Sequence, residues 1–231
     1  MLSFDPDLLL HGTYAGWLWQ GLLTSLRLTL VALLCALPLA AAVAMMRMAP
    51  QRSLRAMAAG YVEGVRGVPL LAHLLFWYFG APELLPESWK QALYEHDVEF
   101  AGAAVALTLY AAAYMAEDIR SGLRAVPAGQ LDAARALGLG YVTAMRLVVL
   151  PQAVRTTLPP LLSQTLNLWK DSSVATVVGV GELMYQAARV ESASFRSAEA
   201  FTFATLAYLT VSLALTALAA LLQRRWTPRG A

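Results

Sequence analysis

The sequence predicts an all-α integral membrane protein, and two observations carry that prediction. Of the 231 residues, 58% are hydrophobic and only 14% are charged, whereas roughly one quarter of the residues in soluble domains are charged. The apolar residues are rich in Ala and Leu and fall into five runs with little alternation, which favours helices over the alternating strands of a membrane barrel. We therefore expect about five transmembrane helices in a single domain, residues 1–231.

The five spans follow from run length, because a helix needs about 20 mainly apolar residues to cross roughly 30 Å of hydrocarbon. We predict them at 20–46, 62–82, 100–123, 156–181 and 200–223. The first contains Pro38, which is expected to kink its helix. Arg66-Gly67-Val68-Pro69 opens the second span, and the charged pair Lys170–Asp171 interrupts the fourth.

Lysine and arginine predict the orientation, because positive residues near span ends tend to stay in the cytoplasm. Arginines follow the first, third and fifth spans in three groups: Arg47, Arg52 and Arg55; Arg120, Arg124, Arg135, Arg146 and Arg155; and Arg224, Arg225 and Arg229. The connection between the second and third spans holds five acidic residues and one lysine, Lys90. We therefore expect the N-terminus outside and the C-terminus inside.

Several function classes lack their characteristic residues. The net charge of +2 gives no reason to expect nucleic-acid binding. The patterns G-x-x-x-x-G-K-S/T, H-E-x-x-H and G-x-S-x-G are absent from the sequence, so we predict no ATPase site, catalytic residue, metal site or cofactor in this chain. Cys35 is the only cysteine, which excludes an intrachain disulfide, and we expect it to be packed. Asp5 and Asp7 replace the basic start of a signal peptide, so the N-terminus is expected to be retained.

The segment between the third and fourth spans carries the most specific pattern. Asp132-Ala133-Ala134 is followed by three residues and Gly138, and then by nine residues and Val148-Val149-Leu150-Pro151. We predict a short helix from Gln130 to Leu137 with Asp132 in its first turn, where an acid suits the helix dipole. Gly138 is expected to end that helix in a left-handed conformation.

This predicted helix has the features of a docking element. The small Ala133 and Ala134 would allow close approach to a groove on a partner, and Leu131 and Leu137 would provide apolar anchors. The competing interpretation is an ordinary surface helix in which Ala serves as a good helix former.

A polar stripe runs along the fourth span. Helical spacing puts Gln164, Asn167 and Asp171 on one face and Lys170 on an overlapping one. A charge at the bilayer centre costs about 2.5–3.5 kcal/mol, so such residues normally face a bundle interior or a cavity. Alternatively, Lys170 and Asp171 form interhelical salt bridges or mark a break between two shorter helices.

Three further polar residues in or near the spans allow both structural and functional interpretations. Arg66 and Glu117 lie near cytoplasmic span ends, where snorkelling alone would explain them. His73 lies in the second span, and we expect it to pack or to bond between helices, with contact to a solute as the alternative.

The pattern D-A-A-x3-G-x9-V-x-L-P resembles the cytoplasmic EAA loop of ABC importer permeases, although Asp132 stands where Glu is usual and Val148 where Ile is usual. Other stretches are similar to permease subunits of polar amino-acid ABC importers: Arg66 to Leu70, Ala112 to Glu117, Ala125 to Gln130, Leu150 to Ala153 and Asn167 to Ser173. Three shorter stretches look most like the glutamate/aspartate branch: Gly16 to Trp19, Pro82 to Pro86 and Glu199 to Thr202.

The resemblance implies a complete transporter in the bacterial cytoplasmic (inner) membrane. It would contain a second permease subunit, like or unlike, two cytoplasmic ATP-binding subunits that hold ATP and Mg, and an extracytoplasmic substrate-binding protein. The EAA-like loop, residues 128–151, would then couple to the ATPase. The coupling residues implied are Leu131, Asp132, Ala133, Ala134, Arg135 and Gly138.

The same resemblance implies that the chain forms the path of a small polar amino acid such as glutamate or aspartate. The path candidates are Arg66, Glu117, Gln164, Asn167, Lys170 and Asp171. Lys170 and Arg66 would counter the carboxylates of an acidic solute, and a cationic solute would reverse these roles. The alternatives are a subunit of an ion- or proton-coupled secondary amino-acid transporter and, in a third class, an intramembrane scaffold or enzyme subunit.

Overall fold

The computed structural model describes residues 11–95 and 97–226. Every regular element within these residues is helical, which confirms the predicted fold class. The helices are α1 Gly12–Met48, α2 Arg52–Arg66, α3 Leu70–Leu75, α4 Glu87–Tyr94, α5 Val98–Arg124, α6 Ala128–Ala136, α7 Tyr141–Ala144, α8 Leu150–Asp171, α9 Leu183–Ser194 and α10 Ser197–Trp226. Asp5, Asp7 and Arg229, on which predictions about the termini depend, lie outside the described residues.

Short irregular turns connect several of these helices. A π-helical turn, Phe76–Gly80, extends α3, and a second, Met145–Val149, joins α7 to α8. The segments Pro82–Leu84 and Ser172–Val178 are 3-10 helical.

Three described helices are long and apolar enough to cross a membrane: Gly12–Met48, Val98–Arg124 and Ser197–Arg224. They contain the predicted spans 20–46, 100–123 and 200–223. At 1.5 Å per residue, even the 27-residue α5 is about 40 Å long. α1 continues through Pro38 without a break in its helical assignment. The number of spans and their orientation stay predictions.

The other two predicted spans, 62–82 and 156–181, are interrupted helices. The first breaks between Arg66 and Leu70, where Pro69 has no backbone donor and biases the preceding residue away from helical conformation. The second changes from α to 3-10 geometry after Asp171. There, Ser172 and Ser173 donate to the carbonyls of Trp169 and Lys170 at 2.8 and 2.7 Å, bonds that compete with the helical ladder. The α-helix thus ends at Lys170–Asp171, as one of the two structural alternatives predicted.

The buried interface between α1 and α5 is built from small side chains. Ala32, Ala36, Ala40 and Ala44 recur every four residues on α1 and are fully buried. This spacing keeps them on one face, and small side chains let helices approach closely inside a membrane. The corresponding core alanines on α5 are Ala103, Ala106, Ala111, Ala112 and Ala116.

At Gly122, α5 comes into backbone contact with α8. A Cβ atom added at Gly122 would overlap the Thr157 hydroxyl and lie 3.2 Å from the Thr157 Cα. The Thr157 Oγ1 donates to the Ala153 carbonyl at 2.7 Å, so this hydroxyl is held in place. Only glycine fits at this crossing.

A buried carboxylate joins α1, α9 and α10. Glu182 is fully buried and caps the start of α9, where its oxygens accept from the backbone of Met184 and Tyr185 at 3.0 and 2.7 Å. Ser25 of α1 and Tyr208 of α10 also donate to Glu182 Oε2, at 3.2 and 2.8 Å. With four donors, the carboxylate is compensated for the loss of water. The sequence pattern did not predict a role for this residue.

Much of the apolar surface of this chain is exposed. The most apolar stretch of α10 has no buried residue, and Leu209, Leu213 and Leu221 are among its large exposed side chains. Cys35 is exposed as well, so the expectation that it is packed inside the chain was wrong. Apolar faces of this kind suit a helix that is surrounded by lipid or by partner helices.

Candidate functional site

The helix predicted around Asp132 is present as α6, Ala128–Ala136, but it starts two residues early. Asp132 is therefore the fifth helical residue, and the first turn contains no acid. The prediction that Asp132 sits in the first turn was wrong. The helix starts earlier because Pro127 occupies the N-cap, and proline near the start of a helix costs no helical hydrogen bond.

The C-terminal end of α6 matches the prediction. Gly138 has φ +87°, the left-handed conformation in which glycine carries no Cβ penalty. Its N–H donates to the Arg135 carbonyl at 2.9 Å, and the Leu139 N–H donates to the Ala134 carbonyl at 3.2 Å. These two bonds form a Schellman cap, which fixes the direction in which the chain leaves the helix.

The two faces of α6 have different surroundings. Ala134 is only 4% exposed and Leu131 is half-buried, whereas Asp132, Ala133 and Arg135 are exposed. α6 packs against the Met145–Val149 turn. Ala134 lies inside this chain, and a role for its side chain in entering a partner's groove does not fit that position.

Exposed apolar side chains surround the end of α6. Leu137 is 84% exposed, as expected for the anchor that the sequence predicted. Tyr141, Val142 and Leu147, which the sequence analysis did not single out, are also largely exposed. An apolar patch of this kind typically marks a contact surface. We name Leu137, Tyr141, Val142 and Leu147 the apolar patch of the EAA-like loop.

A cavity of about 250 Å³ lies between α5 and α8. Gln164, Asn167 and Asp171 of α8 line it together, as the helical spacing predicted. The remaining lining residues are Tyr110, Ala111, Tyr114 and Leu168. The cavity is therefore lined by two phenol groups, two amides and one carboxylate, an arrangement that can hydrogen-bond a polar solute and attract a positive charge.

The two tyrosines were not among the residues predicted from the sequence. Tyr110 and Tyr114 lie one helical turn apart, and their hydroxyl oxygens are 3.3 Å apart. The signal was available, because two tyrosines at i and i+4 in an alanine-rich span must share a face. His73 packs edge-on against Tyr110, with ring centroids 5.7 Å apart, and its Nε2 is 3.1 Å from the Val65 carbonyl oxygen. His73 is thus a packed histidine behind the cavity wall.

Three path candidates are not among the lining residues. Lys170 is exposed and does not line the cavity with Asp171, as expected of neighbours that project about 100° apart on a helix. Arg66, at the last position of α2, places its guanidinium 5.0 Å from the centre of the Tyr114 ring, so it lies beside the cavity. Glu117 also lies outside the set of residues that line the cavity.

Glu117 belongs to an ion-pair network that joins α1, α2 and α5. It forms a salt bridge with Arg120, one turn along α5, and lies 3.9 Å from Arg47 of α1. Arg47 is also 4.0 Å from Glu63 of α2. These contacts give Glu117 a structural role at this end of the helices.

Comparison with known proteins identifies the family. Residues 21–228 match the family model described as the binding-protein-dependent transport system inner membrane component. The chain belongs to this family. The predicted class of the protein, a membrane permease subunit of a transporter with separate partner subunits, is confirmed.

Relatives within the family share most of the chain. It is 34% identical over 217 residues to the glutamate/aspartate import permease protein GltJ of Escherichia coli (strain K12), covering 92% of this chain and 88% of GltJ. It is 38% identical over 196 residues to the probable glutamine ABC transporter permease protein GlnM of Bacillus subtilis (strain 168), covering 85% and 87% of the two chains.

A solved structure supports the same fold. The crystal structure of an amino acid ABC transporter with histidines matches this permease with a TM-score of 0.81 and 32% identity, over 92% of this chain and 95% of that chain.

The described part of the permease contains no cluster of three or more side chains suited to a metal ion.

Proposed function

We propose that this permease forms the path of a small polar amino acid through the inner membrane, driven by separate ATP-binding subunits. The observation that carries the proposal is the cavity between α5 and α8, which combines Asp171 with four neutral polar side chains. The relatives named above are described as permeases for glutamate/aspartate and for glutamine, and these names support an amino acid as the solute.

The charges around the cavity suit the zwitterionic end of an amino acid. Asp171 can attract the α-ammonium group, while Arg66, whose guanidinium lies beside the Tyr114 ring, can attract the α-carboxylate. Tyr110, Gln164 and Asn167 can bond the remaining polar atoms. Glutamate and aspartate are the first solutes to test, because GltJ is described as a glutamate/aspartate permease, and glutamine is the next, as for GlnM.

The apolar patch of the EAA-like loop supports docking of an ATPase. Leu137 lies at the capped end of α6, and Tyr141, Val142 and Leu147 follow on α7 and the adjoining turn. Exposed apolar side chains at the end of a helix are suited to a groove on a partner. Two ATP-binding partner subunits would hold ATP and Mg. A second permease, like or unlike, would cover apolar helix faces that this chain exposes. We place the N-terminus outside, the EAA-like loop in the cytoplasm and an extracytoplasmic binding protein on the opposite face.

Reconstitution of the complete importer in proteoliposomes tests this proposal. We expect uptake of labelled glutamate, aspartate or glutamine that requires ATP on the side of the EAA-like loop and stops when the partner ATPase is inactivated. Dissipating ion gradients with ionophores should leave uptake unchanged. Uptake that persists without ATP and collapses with the ion gradient would instead assign the protein to secondary transport.

A further inference from the structure

The connection between α3 and α5 exposes large apolar side chains. Leu84 is 77% exposed, Trp89 70%, Tyr94 50% and Leu85 39%. They lie within residues 82–95, a short segment outside the apolar parts of α3 and α5. Large apolar side chains that are exposed within one short segment often mark a contact surface.

Local bonds hold this segment in shape. The Leu85 N–H donates to the Pro82 carbonyl at 3.1 Å, and the Trp89 N–H donates to the Pro86 carbonyl at 2.9 Å. Lys90 Nζ donates to Glu83 Oε2 at 2.7 Å, and this bond raises the pKa of Lys90 above its ordinary value. A surface organised in advance loses less conformational entropy when a partner binds.

The segment is also acidic. Residues 82–95 contain Glu83, Glu87, Glu95 and Lys90, a net charge of −2, and Asp97 and Glu99 bring the stretch 83–99 to −4 with His96 neutral. Because the whole chain has a net charge of +2, the remainder carries +6. The ammonium group is Lys90, which Glu83 already engages. Glu87 and Glu95 are exposed beside the apolar side chains.

The charge decides among possible occupants. Amphipathic segments that lie on membranes are rich in Lys and Arg and are attracted to anionic lipid, whereas this segment would be repelled by it. A second copy of the same surface would be repelled as well. A soluble protein with apolar residues surrounded by Lys and Arg would complement both the apolar centre and the acidic rim.

An apolar groove adjoins the segment and offers a place for an anchor. It has a volume of about 420 Å³ and lies between the end of α3 and the start of α5. Its walls include Phe76, Trp77, Leu84 and Leu85. A buried apolar anchor of this type often provides much of the binding energy at a protein interface.

We propose that residues 82–95 and this groove form the acidic docking surface, on which the substrate-binding protein of the transporter seats with a basic-rimmed apolar patch. The inference rests on the proposed function and its orientation, which puts the segment outside the cell membrane. It adds the location of the interface and the chemistry of the partner's surface.

The test measures ATP hydrolysis by the complete importer in nanodiscs while its purified substrate-binding protein is titrated. We expect Glu87→Lys/Glu95→Lys to raise the half-maximal concentration about tenfold without changing the maximal rate, because opposite charges across an interface mainly control association. Trp89→Ala should raise it similarly, and Glu87→Gln/Glu95→Gln should give an intermediate shift. Glu191→Lys, a charge reversal on α9 outside residues 82–95, should change it less than twofold.

Salt and lipid composition sharpen the test. Raising salt from about 20 mM to about 300 mM should weaken stimulation of the wild type and have less effect on the reversed variant, because exposed charges are screened. Equal shifts in the α9 control, or unchanged values in all surface variants, would overturn the docking surface. So would effects that require anionic lipid, since they would assign the segment to the membrane. If the wild type transports solute without any binding protein or ATP, the proposed function itself fails.

Discussion

The EAA-like loop and the cavity differ in how their residues are brought together. The loop is one continuous stretch, 128–151, whose helix, cap and apolar patch are neighbours in the sequence. The cavity needs Tyr110 and Asp171, which lie on separate helices and meet only because α5 packs against α8. The loop is also exposed, as a docking element must be, while the cavity is set into a helix interface.

Mutations in the EAA-like loop and in the cavity should therefore impair the transporter in different ways. Damage to the loop should uncouple the permease from its ATPase and leave the cavity able to bind solute. Damage to the cavity should weaken solute recognition in a transporter that still assembles. A change where α5 and α8 cross should impair both, because these helices carry the cavity and lead into the loop.

The largest effect is expected from Gly122→Ala. The new Cβ would overlap Thr157 at the crossing of α5 and α8, and overpacking of this kind costs about 1–3 kcal/mol. We expect uptake to fall at least tenfold and the yield of assembled transporter to drop, and Thr157→Ala should restore part of both. Gly129→Ala is the matched control, since a Cβ there meets nothing within 4 Å. Wild-type uptake by Gly122→Ala would contradict the close crossing.

The next largest effect should follow from Gly138→Val. A β-branched residue at φ +87° is strained by roughly 1–2 kcal/mol, so the Schellman cap should open and the apolar patch should turn. We expect co-purification of the ATP-binding subunit to fall about tenfold, with solute binding unchanged. Gly140→Ala serves as control, because Gly140 has φ −62° and open space around it. Normal ATPase retention in Gly138→Val would remove the cap from the coupling mechanism.

Asp171→Asn should have the opposite profile, with weaker solute recognition and intact coupling. It keeps the size of the side chain but removes the charge proposed to attract the α-ammonium group. We expect the KM for uptake to rise about tenfold, roughly 1.4 kcal/mol, while the ATP-binding subunit stays associated. Lys170→Met, which changes the adjacent charge outside the cavity, should shift KM less than threefold. An equal response of both variants would argue against the orientation proposed for the solute.

Glu117→Gln should have the smallest effect. It weakens the salt bridge with Arg120 and the contact with Arg47, and partly exposed pairs contribute roughly 1 kcal/mol or less. The midpoint of thermal unfolding in detergent should fall by about 2–4 °C, with KM unchanged. A tenfold change in KM would instead return Glu117 to the solute path, where the sequence analysis first put it.

The sequence predicted the features that depend on composition and local spacing. The all-helical class, the three long apolar helices, the left-handed Gly138 and the shared face of Gln164, Asn167 and Asp171 all follow from one helix at a time. Asp132 was misassigned because helix boundaries depend on one or two residues, here on Pro127.

The remaining features depend on how helices pack against each other. The pairing of Tyr110 with Asp171 requires the rotation of α5 relative to α8, and the burial of Ala134 requires the Met145–Val149 turn behind α6. Glu182 could not be identified because its donors Ser25 and Tyr208 come from two other helices. Nothing in the spacing of a single helix encodes these relations.

The hydrogen bonds that join α1 and α10 to Glu182 form late in biosynthesis. Ser25 and Glu182 are 157 positions apart in the chain, and at 5–20 residues per second a ribosome needs roughly 8–30 seconds to cover that distance. During this interval the Ser25 hydroxyl of the first helix lacks its Glu182 acceptor. A chaperone or a foreign helix could then bind this hydroxyl. The contact between α1 and the start of α9 therefore forms only after most of the chain has been synthesised.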